Sequence, residues 1–377
     1  MGLSRCLFGA FLVVSMVLSA VHGDPLVPAL CIFGDSVVDA GNNNNLQTLI
    51  KANFPPYGRD FVTHRPTGRF CNGKLATDFT AEYLGFNSYP PAYLSQEARG
   101  RNILNGVNFA SAASGYYENT PQLYRALTLT RQLEYYKDWQ SKVVNLVGRA
   151  KANDIFSGGI HLVSAGSSDF IQNYYINPLL NRAYTPDQFS DILMKSYSTF
   201  IQNLYNLGAK RIGVTSLPPT GCLPAAITLF GAGSNQCVAR LNHDAISFNN
   251  KLNNTSQNLK ANLPELKLVV FDIYNPLLDM IVKPTDSGKD SLNQGELAVG
   301  RVRLKHHIYA MQDQWELAQT QRNMCSGMDF TPLKQLMRNW HKIYLNRDLI
   351  SSLSAVCSSS NRPVPLELSA DTYMICF

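Results

Sequence analysis

The sequence predicts an α/β fold in which a mostly parallel five-stranded sheet is covered by helices on both faces. Two observations carry this prediction. Five apolar runs of strand length, at 29–33, 106–109, 160–165, 211–216 and 266–273, alternate with longer stretches whose apolar residues recur at helical spacing. Alternation of this kind is the pattern of parallel strands joined by crossover helices. The helical stretches are 73–84, 130–147, 186–207 and 235–263, and punctuation supports the third of them. Thr185-Pro186-Asp187-Gln188 supplies a cap, a first-turn proline and an early acid, and Gly208 stops the helix.

Taken in order, residues 1–23 read as a signal peptide. Arg5 precedes an apolar stretch at 7–18, and Val21-His22-Gly23 supplies residues that a signal peptidase accepts, so maturation is expected at Asp24. The stretch is about a dozen residues, short of the ~20 that a helical span needs. No later run reaches that length either. The mature chain is therefore expected to be soluble and secreted, with no transmembrane span. Residues 41–45 and 53–73 are rich in Asn, Pro and Gly, and long loops at strand ends form binding surfaces.

The pattern changes near Gly288. From there the chain reads as basic amphipathic helix fragments at 301–318 and 333–345, a serine-rich stretch at 351–360 and a short apolar end. The expected organisation is a signal peptide (1–23), a single large domain (24–288) and a divergent tail (289–377).

Composition narrows the function classes. With 377 residues, 45% of them hydrophobic, the chain can bury a large core in one domain. Its formal charge of +6 comes from scattered basic residues, which read as a solvated surface and give no footprint for nucleic acid. Of eight cysteines, seven follow the signal peptide. That odd number leaves at least one without an intrachain partner. Cys222 and Cys237 flank a Gly-rich loop, and bridging them would stabilise the fold by roughly 3 kcal/mol on a loop-entropy model. Cys31, inside an apolar strand, reads as a buried thiol. Asn253 and Asn254 head two overlapping glycosylation sequons.

The chemistry begins at Ile32-Phe33-Gly34-Asp35-Ser36, an apolar strand ending in a glycine, an acid and a serine. Ligands of open α/β sheets bind beyond the carboxyl ends of the strands, so Ser36 faces the place where a substrate would sit. Two other readings fail on context. Residues 68–74 match most of a phosphate-binding loop, but Leu75 replaces the hydroxyl that would hold magnesium and no strand precedes it. No histidine pair has helical ligand spacing, and the cysteines are too dispersed for a zinc site.

Five blocks then occur in order: Phe33-Gly34-Asp35-Ser36 through Asn43, Arg65-Pro66-Thr67-Gly68-Arg69-Phe70-Cys71-Asn72-Gly73, Asn108 through Gly115, Ser164-Ala165-Gly166-Ser167-Ser168-Asp169, and Leu217 through Pro224. Together they resemble the plant GDSL esterase/lipase family of the SGNH hydrolases. The resemblance implies a flavodoxin-like three-layer α/β/α fold and hydrolysis of carboxylic esters through an acyl-enzyme. By position it makes Ser36 the nucleophile and assigns oxyanion-hole donors to Ser36, Gly115 and Ser168, the last standing where the family has an asparagine. A small-molecule ester or lipid substrate, no cofactor and a monomeric enzyme are expected.

The family's closing aspartate and histidine, three residues apart, have no counterpart in the chain, so no triad Asp or His is identifiable. His161 and His243 read as structural or exposed, and His306, His307 and His341 lie in the tail without a correspondingly spaced acid. Asp35 is expected to shape the turn and Asp169 to hold its loop. An impaired hydrolase, a non-catalytic ester- or lipid-binding protein and a non-functional splice or gene-model variant all stay open.

Overall fold

The computed structural model describes residues 24–234 and 236–282. The expected signal peptide, the tail from 289 onward and the histidines at 306, 307 and 341 lie outside the described residues. Among the described residues, four strands form one parallel sheet in the order β1 (Leu30–Gly34), β2 (Ile160–Ser164), β3 (Arg211–Thr215) and β4 (Lys267–Phe271). Each matches an apolar run: β1 is shifted by one residue, β2 and β3 are shorter by one, and β4 is shorter by three.

The expected fifth strand at 106–109 runs beside the free edge of β1 but pairs too briefly to count as one. Ile32 N–H donates to the Val107 carbonyl at 3.1 Å and Phe109 N–H donates to Ile32 at 2.7 Å, yet only one parallel bridge, Ile32 to Asn108, results. Two causes are local. Gly106 turns with φ +97° tight against the Leu30 carbonyl. Asn108 then turns its side chain to backbone partners, donating to Val38 O at 2.6 Å and accepting from Ala110 N–H at 3.0 Å.

Six longer helices accompany the sheet: α1 (Ala76–Tyr83), α2 (Leu129–Val147), α3 (Arg149–Gly158), α4 (Pro186–Asn206), α5 (Ala239–Asn262) and α6 (Tyr274–Val282). α4 begins with the expected cap and first-turn proline, and Gln188 completes a capping box. Thr185 Oγ1 accepts from Gln188 N–H at 3.2 Å, and Gln188 Oε1 accepts from Thr185 N–H at 2.9 Å. The stretch read at 130–147 forms α2 alone, and α3, outside the helical stretches read from the sequence, follows it after Gly148 at φ +81°.

Strand alternation sorts the apolar side chains into two layers. Cys31, Phe33, Val163, Ile212, Val214 and Leu268 enter the main core with Tyr136, Trp139, Leu193, Tyr197, Phe200 and Leu252 from α2, α4 and α5. Leu30 and Ile32 face the other way, onto Ala81, Leu84 and Phe86 in and just after α1. On that second face Val269 and Phe271 of β4 are 51% and 47% exposed, so cover among the described residues ends before the β4 edge.

Candidate active site

The turn after β1 is fixed by what presses on it. Gly34 has φ +136°, and a Cβ there would lie 1.8 Å from the Ser164 carbonyl of β2. Only glycine fits that approach. The next residue, Asp35, donates its N–H to the same carbonyl at 2.9 Å and accepts from Val37 N–H at 3.1 Å. The chain thus bends sharply after the strand and leaves Ser36 half-buried at the sheet's carboxyl edge. Burial pushes the Asp35 carboxyl up to about 7, against hydrogen bonds from the Val37 and Ser168 backbone, and the nearby Asp169 carboxylate adds to the rise.

Two further segments meet this turn. Gly166 (φ +115°) ends the stretch after β2 and starts the short helical turn Ser167–Asp169, in which Ser168 is buried. The Asp169 carboxylate reaches across to the loop after residue 114. Its Oδ2 accepts from Tyr116 N–H at 2.7 Å, while Oδ1 accepts from Tyr117 N–H at 3.2 Å and from Thr120 Oγ1 at 2.7 Å. It lies so close to Gly115 that a Cβ there would stand 2.1 Å from Oδ1. Glycine at 115 therefore answers to the carboxylate beside it. Burial also pushes Asp169 up to about 7, the three donors notwithstanding.

A buried polar network supports the loops around the turn. Asp39 accepts from the N–H groups of Gly41, Asn42 and Ala112 at 2.7, 2.8 and 2.9 Å, and burial pushes its carboxyl up to about 6. Asn42 Nδ2 donates to the carbonyls of Asn108 and Ala110, Asn43 Nδ2 to those of Ile50 and Ala112. These side chains do the work of a sheet ladder where the backbone is irregular.

Gln132 of α2 was not singled out in the sequence. It is fully buried, its Oε1 accepts from Gly34 N–H at 2.9 Å, and its Nε2 donates to Gly34 O at 2.9 Å and Ser114 Oγ at 3.0 Å. The available signal was a polar residue on the apolar stripe Leu129, Leu133, Tyr136, Trp139 and Val143. Thr120, which bridges Asp169 to Asn173 Nδ2, carried no signal.

The described histidines do not hydrogen-bond Ser36. His161 lies beside Cys31 in the sheet interior, three residues short of Gly34, which is about 10 Å along a strand. Its Nε2 meets the Tyr136 hydroxyl at 2.8 Å, and burial lowers its pKa to about 4. His243 projects from α5 with 83% of its side chain exposed, and the exposed His64 ring meets the Arg59 carbonyl through Nδ1 at 2.8 Å. In the loop that resembled a phosphate cradle, Lys74 pairs with Glu82 at 2.7 Å and Arg69 with Asp78 at 2.9 Å. Both cations are turned toward α1 carboxylates.

Elsewhere, Cys222 and Cys237 are joined in a disulfide, and Cys31 is a buried free thiol that burial pushes up to about 12. Asn253 and Asn254 are exposed on α5, whereas the Ser256 hydroxyl is buried and meets Tyr197 Oη at 2.6 Å.

A strand-end serine, a glycine loop and a buried serine turn, cross-tied by two aspartates, form an arrangement suited to acyl transfer, and comparison with known proteins agrees. Residues 30–344 match the GDSL-like Lipase/Acylhydrolase family. Two Arabidopsis thaliana proteins named GDSL esterase/lipase are 70% and 67% identical to this chain, over 71% and 74% of it and 76% and 81% of their own lengths. Another from the same plant, GDSL esterase/lipase APG, is 57% identical over 74% of this chain and 78% of its own. The chain belongs to the GDSL lipase/acylhydrolase family of ester hydrolases.

Proposed function

We propose that the chain is a secreted ester hydrolase in which Ser36 Oγ attacks the carbonyl carbon of a small ester or lipid. The Oγ–acyl bond forms as the alcohol departs with the proton that the hydroxyl loses. Water then releases the acid and restores the serine. The backbone N–H groups of Ser36 and Gly115 and the Ser168 hydroxyl receive the negative charge that develops on the carbonyl oxygen. The observation that carries this reading is the meeting of three segments at one sheet edge. Asp35 interacts with the Ser168 backbone, and Asp169 packs on Gly115. Acyl transfer by serine requires neither metal nor nucleotide, and the chain acts as a monomer without nucleic acid.

Turnover is impaired, because the chain has no aspartate and histidine three residues apart to activate Ser36. Residual catalysis then rests on binding and the oxyanion donors, which alone retain ~10³- to 10⁴-fold over water in triad knock-outs. Residues 24–288 form the hydrolase domain and 289–377 a divergent tail. The exposed Asn253 and Asn254 offer one glycosylation position between them. A non-catalytic ester-binding role is the second reading, favoured by the absence of a histidine bonded to Ser36 among the described residues.

The test is hydrolysis of a short-chain nitrophenyl ester by the full chain and by Ser36→Ala. A slow rate that vanishes in Ser36→Ala is expected. Equal rates would exclude Ser36 as nucleophile and leave the binding reading.

A further inference from the structure

At Gly34 the hydrogen-bond ladder along the edge of β1 changes partner. One step earlier Ile32 follows parallel-sheet geometry, donating to the Val107 carbonyl and accepting from Phe109 N–H. The next step is half regular, since Ser111 N–H donates to Gly34 O at 2.9 Å. The other half is missing: Gly34 N–H, which regular pairing would direct to the Phe109 carbonyl, donates to Gln132 Oε1 instead. The Gln132 amide returns a bond to Gly34 O, so a side chain from 98 residues away stands in for a strand peptide.

That amide has one more hydrogen, and it goes to Ser114 Oγ. Every polar hydrogen of the side chain is thereby used in a fully buried setting. The two backbones it joins lead straight into the proposed site: Gly34 is two residues before Ser36, and Ser114 directly precedes Gly115. Its own placement is fixed as well. It is the fourth residue of α2, whose start is set by Thr128 Oγ1 accepting from Arg131 N–H at 3.0 Å, and its own N–H donates to Thr128 O at 2.9 Å.

We propose that Gln132 is a positioning residue that sets the separation between the Ser36 turn and the Gly115 loop. It touches no substrate and acts through the two backbones it ties. The inference rests on the reading of Ser36 as nucleophile and Gly115 as oxyanion donor. A preorganised donor acts on charge that exists only in the transition state, so its misplacement lowers kcat and leaves ground-state binding alone.

The experiment compares the full chain with Gln132→Met, which keeps length and loses the amide, and with Ser114→Ala, which breaks only the link to the Gly115 loop. Ser36→Ala supplies the background. With nitrophenyl acetate, Gln132→Met is expected to lower the Ser36-dependent kcat on the order of 10²-fold, as an error of ~1 Å in placement can. Ser114→Ala should lower it by about tenfold on the same reasoning, with KM unchanged in both. Unchanged kcat in both variants, or a rise in KM alone, overturns the proposal.

Amide hydrogen exchange, read residue by residue by NMR, decides the positioning independently of turnover. Faster exchange at Ser36 and Gly115 in Gln132→Met, with β2 amides unchanged, is expected. Acceleration confined to Gly34 overturns the proposal even if the parent hydrolyses nothing. A parent rate equal to that of Ser36→Ala would instead count against the nucleophile, and the exchange data would still judge Gln132. Should Gln132→Met fail to fold, Ser114→Ala carries both measurements.

Discussion

At Gly34 a single added methyl would have to occupy the space of the Ser164 carbonyl oxygen, in a backbone region that L-residues avoid. Gly34→Ala is therefore expected to destabilise the fold by at least about 2 kcal/mol, from the positive φ together with overpacking. Chemical denaturation measures it, and a loss below the error of the method would mean that the turn relaxes freely. Gly115 differs, since its neighbour is a carboxylate rather than a strand. Gly115→Ala should cost about 1–3 kcal/mol by overpacking. The cost should shrink when Asp169→Ala is added, which a double-mutant cycle reads directly. The sequence shows a glycine at both positions. It could not disclose the atom that forbids a larger one, because Ser164 and Asp169 approach only through the sheet and the turn after β2.

Among the elements, all four helical stretches form, as α1, α2, α4 and α5, whereas the shorter α3 and α6 lie outside them. The capping box at Thr185 forms as its residues dictate, and Thr185→Ala should cost about 1 kcal/mol of unfolding free energy. A midpoint unchanged in urea would show that packing alone holds the start of α4. The fifth strand misled because strand-like composition at 106–109 does not reveal that Gly106 and Asn108 divert the pairing. Gln132 was illegible for a related reason. A polar residue on an apolar stripe announces a buried partner but not which backbone is lacking one. Asp35 holds its own turn through Val37 N–H, the ordinary chemistry of Asp in such places, whereas Asp169, read as holding its own loop, instead ties down the distant loop at Tyr116, Tyr117 and Thr120.

For the molecule as a whole, three buried carboxyls, Asp35, Asp39 and Asp169, are pushed up to about 7, 6 and 7 chiefly by desolvation. In the unfolded chain such groups titrate near 4. Between about pH 4 and 7 the folded state therefore holds more protons than the unfolded one, and its stability falls as pH rises through that window. The contribution is complete below about 4 and lost above about 7. Melting temperatures across pH 4 to 8 should decline, and Asp35→Asn should flatten the decline. A melting temperature rising over that range would refute this account of the three acids. Parallel architecture and family were legible in the sequence, because five ordered blocks leave little else to fit. The cross-ties among them were not, since each joins residues dozens of positions apart.

The bend at Gly34 also has a place in time. Its geometry depends on the Ser164 carbonyl and on Gln132, both far downstream. A nascent chain that has emerged only through its first hundred residues already carries the serine and its flanking motif, but nothing yet bends the backbone around it. The bend is set only once β2 has been made, and a fragment ending before β2 carries the motif without its geometry.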